Sequence, residues 1–362
     1  MATIFPSRRV RWTPFTKGVE AAGMKVCTVY NHMVLPSVFR SEEEDYHHLK
    51  RHVQVWDVSC ERQVAVQGPD ARRLLDLLSP RDLDRMADDQ CYYIPAIDRD
   101  GGMLNDPVLV KLAPDHYWIS VADSDYIQYV LGVADALQLD VKVWEPDVSP
   151  LAVQGPKAEV LMSRVFGEEV KSIKFFRYKR LPFNGINFVV ARSGYSKQGG
   201  FEIYVEGSEH GMPLWDALFA AGSDLEVRAG CPSTKERVES GLLSYGNDID
   251  RSNTPFEAGL GKFINSRKDY IGKKRLLEHA EPKRQIRAVE IIGTIPSIRE
   301  TWPLFADGQW VGQVTTATHS PDFKTGISIA MVDRSHWKGG TKLTVETTDG
   351  VRDAIVKDSF WT

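Results

Sequence analysis

Hydrophobic and polar positions repeat along this chain with two periods, and each change of period marks an element. The segments VAVQGPDARRLL (64–75) and LAVQGPKAEVLM (151–162) are apolar runs that end in Gln-Gly-Pro and continue with apolar residues at helical spacing. Proline suits a first helical turn, where its missing N–H costs nothing, so each copy predicts a strand, a tight turn and a helix. Copies this far apart exceed a solenoid period and predict two related α+β subdomains. SEEEDYHHLKRH (41–52) predicts a capped helix with a solvated face: Ser41 and Glu44 stand in capping-box register, and acids lead while bases trail, as the helix dipole favours. Between the copies, DRDGGMLNDPVLVKL (98–112) predicts an Asp-Gly turn running into a strand with Leu104, Asp106, Val108, Val110 and Leu112 on one face. YWISVADSD (117–125) predicts another strand, ending in an N-cap for the helix YIQYVLGVADAL (126–137). From about residue 283 the pattern changes to hairpins on Asp-Gly turns, ADGQWVGQV (306–314) and LTVETTDGVRDAIV (343–356), which predicts an all-β C-terminal domain.

The alternation in ARSGYSKQGGFEIYVEG (191–207) brings in candidate chemistry. Its glycines precede a strand, whereas a Walker loop and a dinucleotide fingerprint both lead into a helix, so neither phosphate-binding fingerprint is present. Glycines here let the backbone pass close to something flat or bulky. Phe201, Ile203 and Val205 share one face, and Glu202 and Tyr204 the other. That polar face reads either as a wet sheet surface or as a carboxylate and a phenol aimed together at a heterocycle. Asp106 stands in an otherwise apolar row, which marks it as functional or, given Pro107, as an acid near a break in the ladder. Tyr92, Tyr93 and Tyr195 offer faces to flat rings or onium groups, each worth ~0.5 to 2 kcal/mol, or else serve as boundary residues.

Charge and cysteine usage narrow the partners. Lys and Arg total 45 against 49 acids, well mixed, so no nucleic-acid footprint is expected. No apolar run reaches the ~18 residues of a membrane span, and MATIFPSRRVRWTPF lacks a signal-like apolar stretch, so a cytoplasmic protein acting on a small molecule is expected. Cys27, Cys60, Cys91 and Cys231 form no CxxC pair or Cys/His cluster and read as buried small hydrophobes in a reducing compartment. His48 and His52, four apart, could share a metal only outside any HExxH context, so no metal is expected.

Several segments resemble a known family. SGYSKQGGFEIYV, ERVESGLLSYGNDIDRSNTPFEAGL, DYIGKKRL, GGMLNDPVLV and HVQVWDVS resemble the TGYTGExGFEI, RLExGLxLYGxDIDxxxTPxEAGL, FIGKxxL, GGxxDDxxV and FDVS segments of the glycine-cleavage T-protein family of folate-dependent methyl and aminomethyl transferases. Further segments, among them TVYNHMVLPSVF, CYYIPAID, YWISVADSD and HSPDFKTGISIAMVDRSHW, resemble the branch that demethylates a sulfonium donor. The resemblance implies an α+β fold of three domains around a central folate opening: residues 1–52 with 140–275, residues 53–139, and a β-barrel domain at 283–362. It implies tetrahydrofolate as methyl acceptor, a small onium substrate and no metal. Asp106 matches the catalytic aspartate. Glu202, Tyr204, Tyr195, Arg237 and Val108 match cofactor-binding positions, and Tyr30, Tyr93, Ser120 and Tyr195 substrate-binding ones. For Arg237, in the predicted helix TKERVESGLLSYG, a structural salt bridge is the alternative. Tyr195 stands where the sulfonium branch carries tryptophan and the T-protein itself tyrosine. Other readings within the family are an aminomethyltransferase acting on a lipoyl carrier or a demethylase of a betaine. A non-catalytic folate binder of the iron-sulfur type would carry KGCYxGQE where this chain reads GYSKQGGFE. The oligomeric state stays open, a homodimer included.

Overall fold

The computed structural model describes residues 7–362, and the first six residues of MATIFPSRRVRWTPF lie outside it. Two compact units make up the chain, one of residues up to 72 with 86–93 and 107–233, the other of residues 73–85, 94–106 and 234–362.

The first unit contains two large sheets. A six-stranded sheet runs Tyr178–Phe183, Ile186–Ala191, Gly200–Glu206, Val148–Gln154, Val53–Asp57, Val227–Gly230, and a five-stranded sheet runs Lys142–Trp144, Gln63–Gln67, His116–Ser120, Val108–Ala113, Cys91–Tyr93. Both copies of the Gln-Gly-Pro pattern form as expected: the strand Gln63–Gln67 leads into the helix Ala71–Leu78, and Val148–Gln154 into Ala158–Phe166. One face of the six-stranded sheet buries Phe201, Ile203, Val205, Leu151 and Val153 against Leu161 and Met162 of the second copy's helix and Leu214, Trp215 and Leu218 of Gly211–Ala221. Each such aliphatic or aromatic side chain contributes about 1.5 to 3 kcal/mol on leaving water. The opposite face packs on the five-stranded sheet: Tyr178, Val189, Ala191 and Tyr204 meet Ala65, Cys91, Val110 and Trp118. A hairpin that the sequence pattern did not announce joins Val26–Tyr30 to Met33–Val38, through Asn31 and His32 at φ 48° and 64°. Positive φ at both turn positions matches the twist of the strands, and asparagine tolerates it.

The helix Glu42–Arg51 is capped as predicted, Ser41 Oγ accepting from the Glu44 N–H at 3.1 Å. Its face is not all solvated, for His48 is buried. The helix Tyr126–Ala136 also forms, but Asp125 makes no side-chain cap; its carboxylate faces Arg62 and His32 instead.

In the second unit, six strands from Arg284–Ile291 to Gly350–Val356 close a barrel, which leaves no free sheet edge. Asp307 and Gly308, at φ 48° and 77°, turn the Trp302–Ala306/Gln309–Ser320 hairpin as expected. Val289, Leu304, Val314, Ala330, Val345 and Val356 fill the interior. The same unit holds the small hairpin of Ala96–Ile97 with Met103–Asn105 and the helix Thr234–Ser240. The strand expected across 102–112 is thus broken in two, one piece in each unit, at Asp106–Pro107. Proline has no N–H for a ladder and restricts the residue before it. Among the described residues, no helix is long and apolar enough to cross a membrane.

Candidate functional site

In the first unit, the polar pair of FEIYV is not a wet surface. Glu202 is 7% exposed and Tyr204 1%, and both point into the layer between the two sheets, where the Tyr204 ring lies 5.9 Å from Trp118. Cross-strand partners of Glu202 are Ala191 on one side and Ala152 on the other, so only methyl groups flank the carboxylate in its row. Ser193 Oγ donates to its Oε2. Burial pushes the Glu202 carboxyl above its ordinary value, while the Ser193 hydrogen bond pulls it down. Burial also raises the Tyr204 phenol well above its usual range, reinforced by the charge of Glu202.

The facing sheet aligns three of the expected residues. Tyr93 pairs with Val108 and Val108 with Ser120, and Ser120 pairs with Gln63, so one row crosses four strands on the same face. Gln63 Nε2 donates to Ser120 Oγ at 2.9 Å, and Ser120 also hydrogen-bonds the Tyr204 hydroxyl. Tyr93 and Val108 are half-buried, Ser120 buried. Tyr30, half-buried, ends the first strand of the N-terminal hairpin. Its neighbour Asn31 fixes that tip on the chain just past Ser120, donating to Val121 O at 3.2 Å and Ala122 O at 3.0 Å. Tyr195, half-buried, lies in the glycine loop. Gly194 and Gly200 of that loop admit a protein group rather than a ligand, since a Cβ on either would strike the Gln154 side chain, whereas Gly199 faces open space.

Three buried polar atoms of these strands have no partner among the described residues, Trp118 Nε1, Gln63 Oε1 and His116 Nε2. An unpaired donor and acceptor in the strands that carry Ser120, facing a layer with a buried carboxylate, fit a flat heterocycle that presents both kinds of group. Trp118 and Ser193 escaped the sequence reading. The alternation Trp118-x-Ser120 was the available signal for the first; nothing local distinguished Ser193.

In the second unit, Asp106 is half-buried at the end of its hairpin segment. That hairpin is clasped by the loop 245–253. Met103 donates its N–H to Asn253 O at 2.9 Å and accepts from the Tyr245 hydroxyl at 3.0 Å, and Arg251 Nε donates to Asp98 at 2.6 Å. Burial raises the Tyr245 phenol to about 12, with Asp250, Asp106 and Asp98 adding to it. Arg237 is buried and committed: it donates to Asp248 at 2.7 Å, to Thr316 Oγ1 at 2.9 Å and to Leu242 O at 3.2 Å.

Among the described residues, no cluster of three or more His, Cys, Asp or Glu could hold a metal. His48 and His52 stack at 4.9 Å, and His48 Nε2 lies 2.8 Å from Glu226 O. All four cysteines are free; Cys60, Cys91 and Cys231 are buried as expected, but Cys27 is only partly so.

Comparison with known proteins adds five likenesses. The family model of the GCVT N-terminal domain matches residues 15–268, and that of the glycine cleavage T-protein C-terminal barrel domain residues 284–361. The dimethylsulfoniopropionate demethylase DmdA of Ruegeria pomeroyi is 68% identical over 363 residues, covering 100% of both chains. An aminomethyltransferase of Caldanaerobacter subterraneus subsp. tengcongensis is 31% identical over 90% of this chain and 88% of that one. The crystal structure of glycine cleavage system aminomethyltransferase T from Bartonella henselae superposes with a TM-score of 0.86 at 23% identity, over 96% of this chain and 97% of that one, a likeness of fold.

Proposed function

Because the chain belongs to the glycine cleavage T-protein family, we propose that it is a tetrahydrofolate-dependent methyltransferase that demethylates dimethylsulfoniopropionate. The products are methylthiopropanoate, 5-methyltetrahydrofolate and a proton. The full-length likeness to the Ruegeria pomeroyi demethylase carries this reading of the donor. The three-domain division at residues 1–52 with 140–275, 53–139 and 283–362 belongs to the same reading.

Tetrahydrofolate, when bound, supplies N5 as the nucleophile and methyl acceptor. The sulfonium carbon is already activated, since the C–S bond breaks with its electron pair going to sulfur and leaves a neutral thioether. The chain's task is therefore to align donor and acceptor, a contribution that can reach about 7 to 11 kcal/mol. Glu202 and Tyr204 would grip the pterin, with Val108 and Tyr195 lining it. Arg237, held by Asp248, would meet the acidic tail. Tyr30, Tyr93, Ser120 and Tyr195 would surround the donor, the tyrosine faces attracting its cation. An ionised Asp106 would offset the positive charge that moves toward N5 and take the proton released there. Free cysteines suit a reducing compartment, and the cytoplasm is the proposed location.

A donor panel tests the reading. Protein and tetrahydrofolate are incubated with dimethylsulfoniopropionate, glycine betaine, dimethylglycine or an aminomethyl-lipoyl carrier, with folate omitted as the control. Formation of 5-methyltetrahydrofolate from the sulfonium alone is expected; turnover of a different donor, or folate-independent turnover, would reject the assignment.

A further inference from the structure

The tripeptide Gln-Gly-Pro closes a strand in both copies of the internal pattern, yet its two glutamines meet opposite fates. Gln67 is exposed, whereas Gln154 has 0% of its surface exposed. A primary amide buried this deeply is costly unless its N–H groups and oxygen all find partners. Those of Gln154 do. Nε2 donates to Ser193 O at 3.1 Å and, less tightly, to Phe201 O at 3.4 Å, and Oε1 accepts from Ser196 Oγ at 2.8 Å. Its backbone meanwhile pairs with Gly200 across the ladder.

The glycines are placed for this amide. Gly194 and Gly200 adopt φ of +150° and +151°, and a Cβ on them would lie 2.0 and 2.6 Å from Gln154 Nε2. No other residue could stand at either position without moving the amide or straining the backbone. One side chain therefore fastens the beginning, middle and end of the loop 193–201. Inside that loop lies Tyr195. At its start, the Ser193 hydroxyl donates to the buried Glu202 carboxylate.

We propose that Gln154 is a positioning residue of the methyl-transfer site: it fixes the loop 193–200 so that Ser193 stays on Glu202 and Tyr195 keeps one place. The inference rests on the function proposed above, in which Glu202 and Tyr195 meet the bound molecules; Gln154 itself touches neither and performs no chemistry.

Gln154→Met keeps the length and removes both donors and the acceptor. The expected result is a KM for tetrahydrofolate raised about 10- to 100-fold, the scale of a misplaced binding group. A second expected sign is in the pH profile: with Ser193 released, the limb belonging to the Glu202 carboxyl moves to higher pH, because a hydrogen bond to its charged form is lost. Gln67→Met, at the matching exposed position, should leave KM, kcat and the pH profile as they were. If Gln154→Met lowers the melting temperature but, at a temperature where it is folded, retains wild-type KM and pH profile, the glutamine is merely structural and the proposal is overturned. Should Gln154→Met not fold, Ser196→Ala removes the contact at the amide oxygen, together with the longer one that the hydroxyl accepts from the Gln198 N–H at 3.3 Å; a KM raised a few-fold supports the proposal, an unchanged one contradicts it. A wild-type protein that cannot use tetrahydrofolate would defeat the functional reading and this proposal with it, whereas an active wild type beside an unaffected Gln154→Met defeats this proposal alone.

Discussion

Asp106 and His48 show two opposite uses of a titratable side chain. For Asp106 the proposed role needs a charge, so Asp106→Asn should leave tetrahydrofolate binding near wild type, measured by calorimetry, and lower kcat about 10²- to 10⁴-fold, the range of a lost acid-base group. Equal loss of binding and turnover would count against the role. His48 needs neutrality. Burial holds its imidazole down to about 4, against 6.5 for an ordinary histidine, with Arg228, His52 and Arg40 pushing the same way and the Glu226 carbonyl opposing. The neutral ring satisfies both nitrogens, Nε2 donating to Glu226 O and Nδ1 facing the Gln54 amide at 3.4 Å. A folded pKa below the unfolded one means that the stability is present above pH 6.5 and is lost as pH falls through about 4. The melting temperature should thus drop over that window, and His48→Gln should flatten the drop; an equal slope in the variant would show that other groups carry it. At this scale the sequence could single out Asp106 and Glu202 as candidates, because each stands in a segment that resembles a family motif. It was opaque for His48, Ser193 and Gln154, whose roles depend on residues brought close by the fold.

Elements were readable when their signals were local. The repeated strand-turn-helix, the Ser41 cap and the Asp307–Gly308 hairpin of the barrel each follow from neighbours within a few residues, whereas the second barrel hairpin turns one residue earlier than its Asp-Gly pair, at Thr348–Asp349. What alternation could not reveal was which face of FEIYV would be covered: Glu202 and Tyr204 are buried only because a second sheet, drawn from distant segments, lies over them. The break at Asp106–Pro107 was visible as a proline, but not as the passage from one unit to the other. The hairpin that precedes it is held at Met103 through both backbone groups, one of them by the Tyr245 hydroxyl. Tyr245→Phe removes that single hydrogen bond, worth about 0.5 to 1.5 kcal/mol in stability. It should lower kcat several-fold through Asp106 while leaving the KM for tetrahydrofolate unchanged; unaltered steady-state kinetics would confine the tyrosine to a structural role.

On the scale of the whole chain, the fold and the reaction class are specified more redundantly than any single site residue. Family motifs spread across 15–268 and 284–361 agree with the sheets and barrel that form there. The donor is the finer question, because Tyr195 takes the place of a tryptophan expected beside a sulfonium. A labelled methyl group answers it most directly. Dimethylsulfoniopropionate carrying ¹³C in its S-methyl groups is mixed with tetrahydrofolate and excess protein, and the products are followed by ¹³C NMR. Signal at the N5-methyl of 5-methyltetrahydrofolate, matched by one labelled methylthiopropanoate per turnover, is the predicted outcome; label that stays on the sulfonium, or leaves it equally well without folate, would contradict the account.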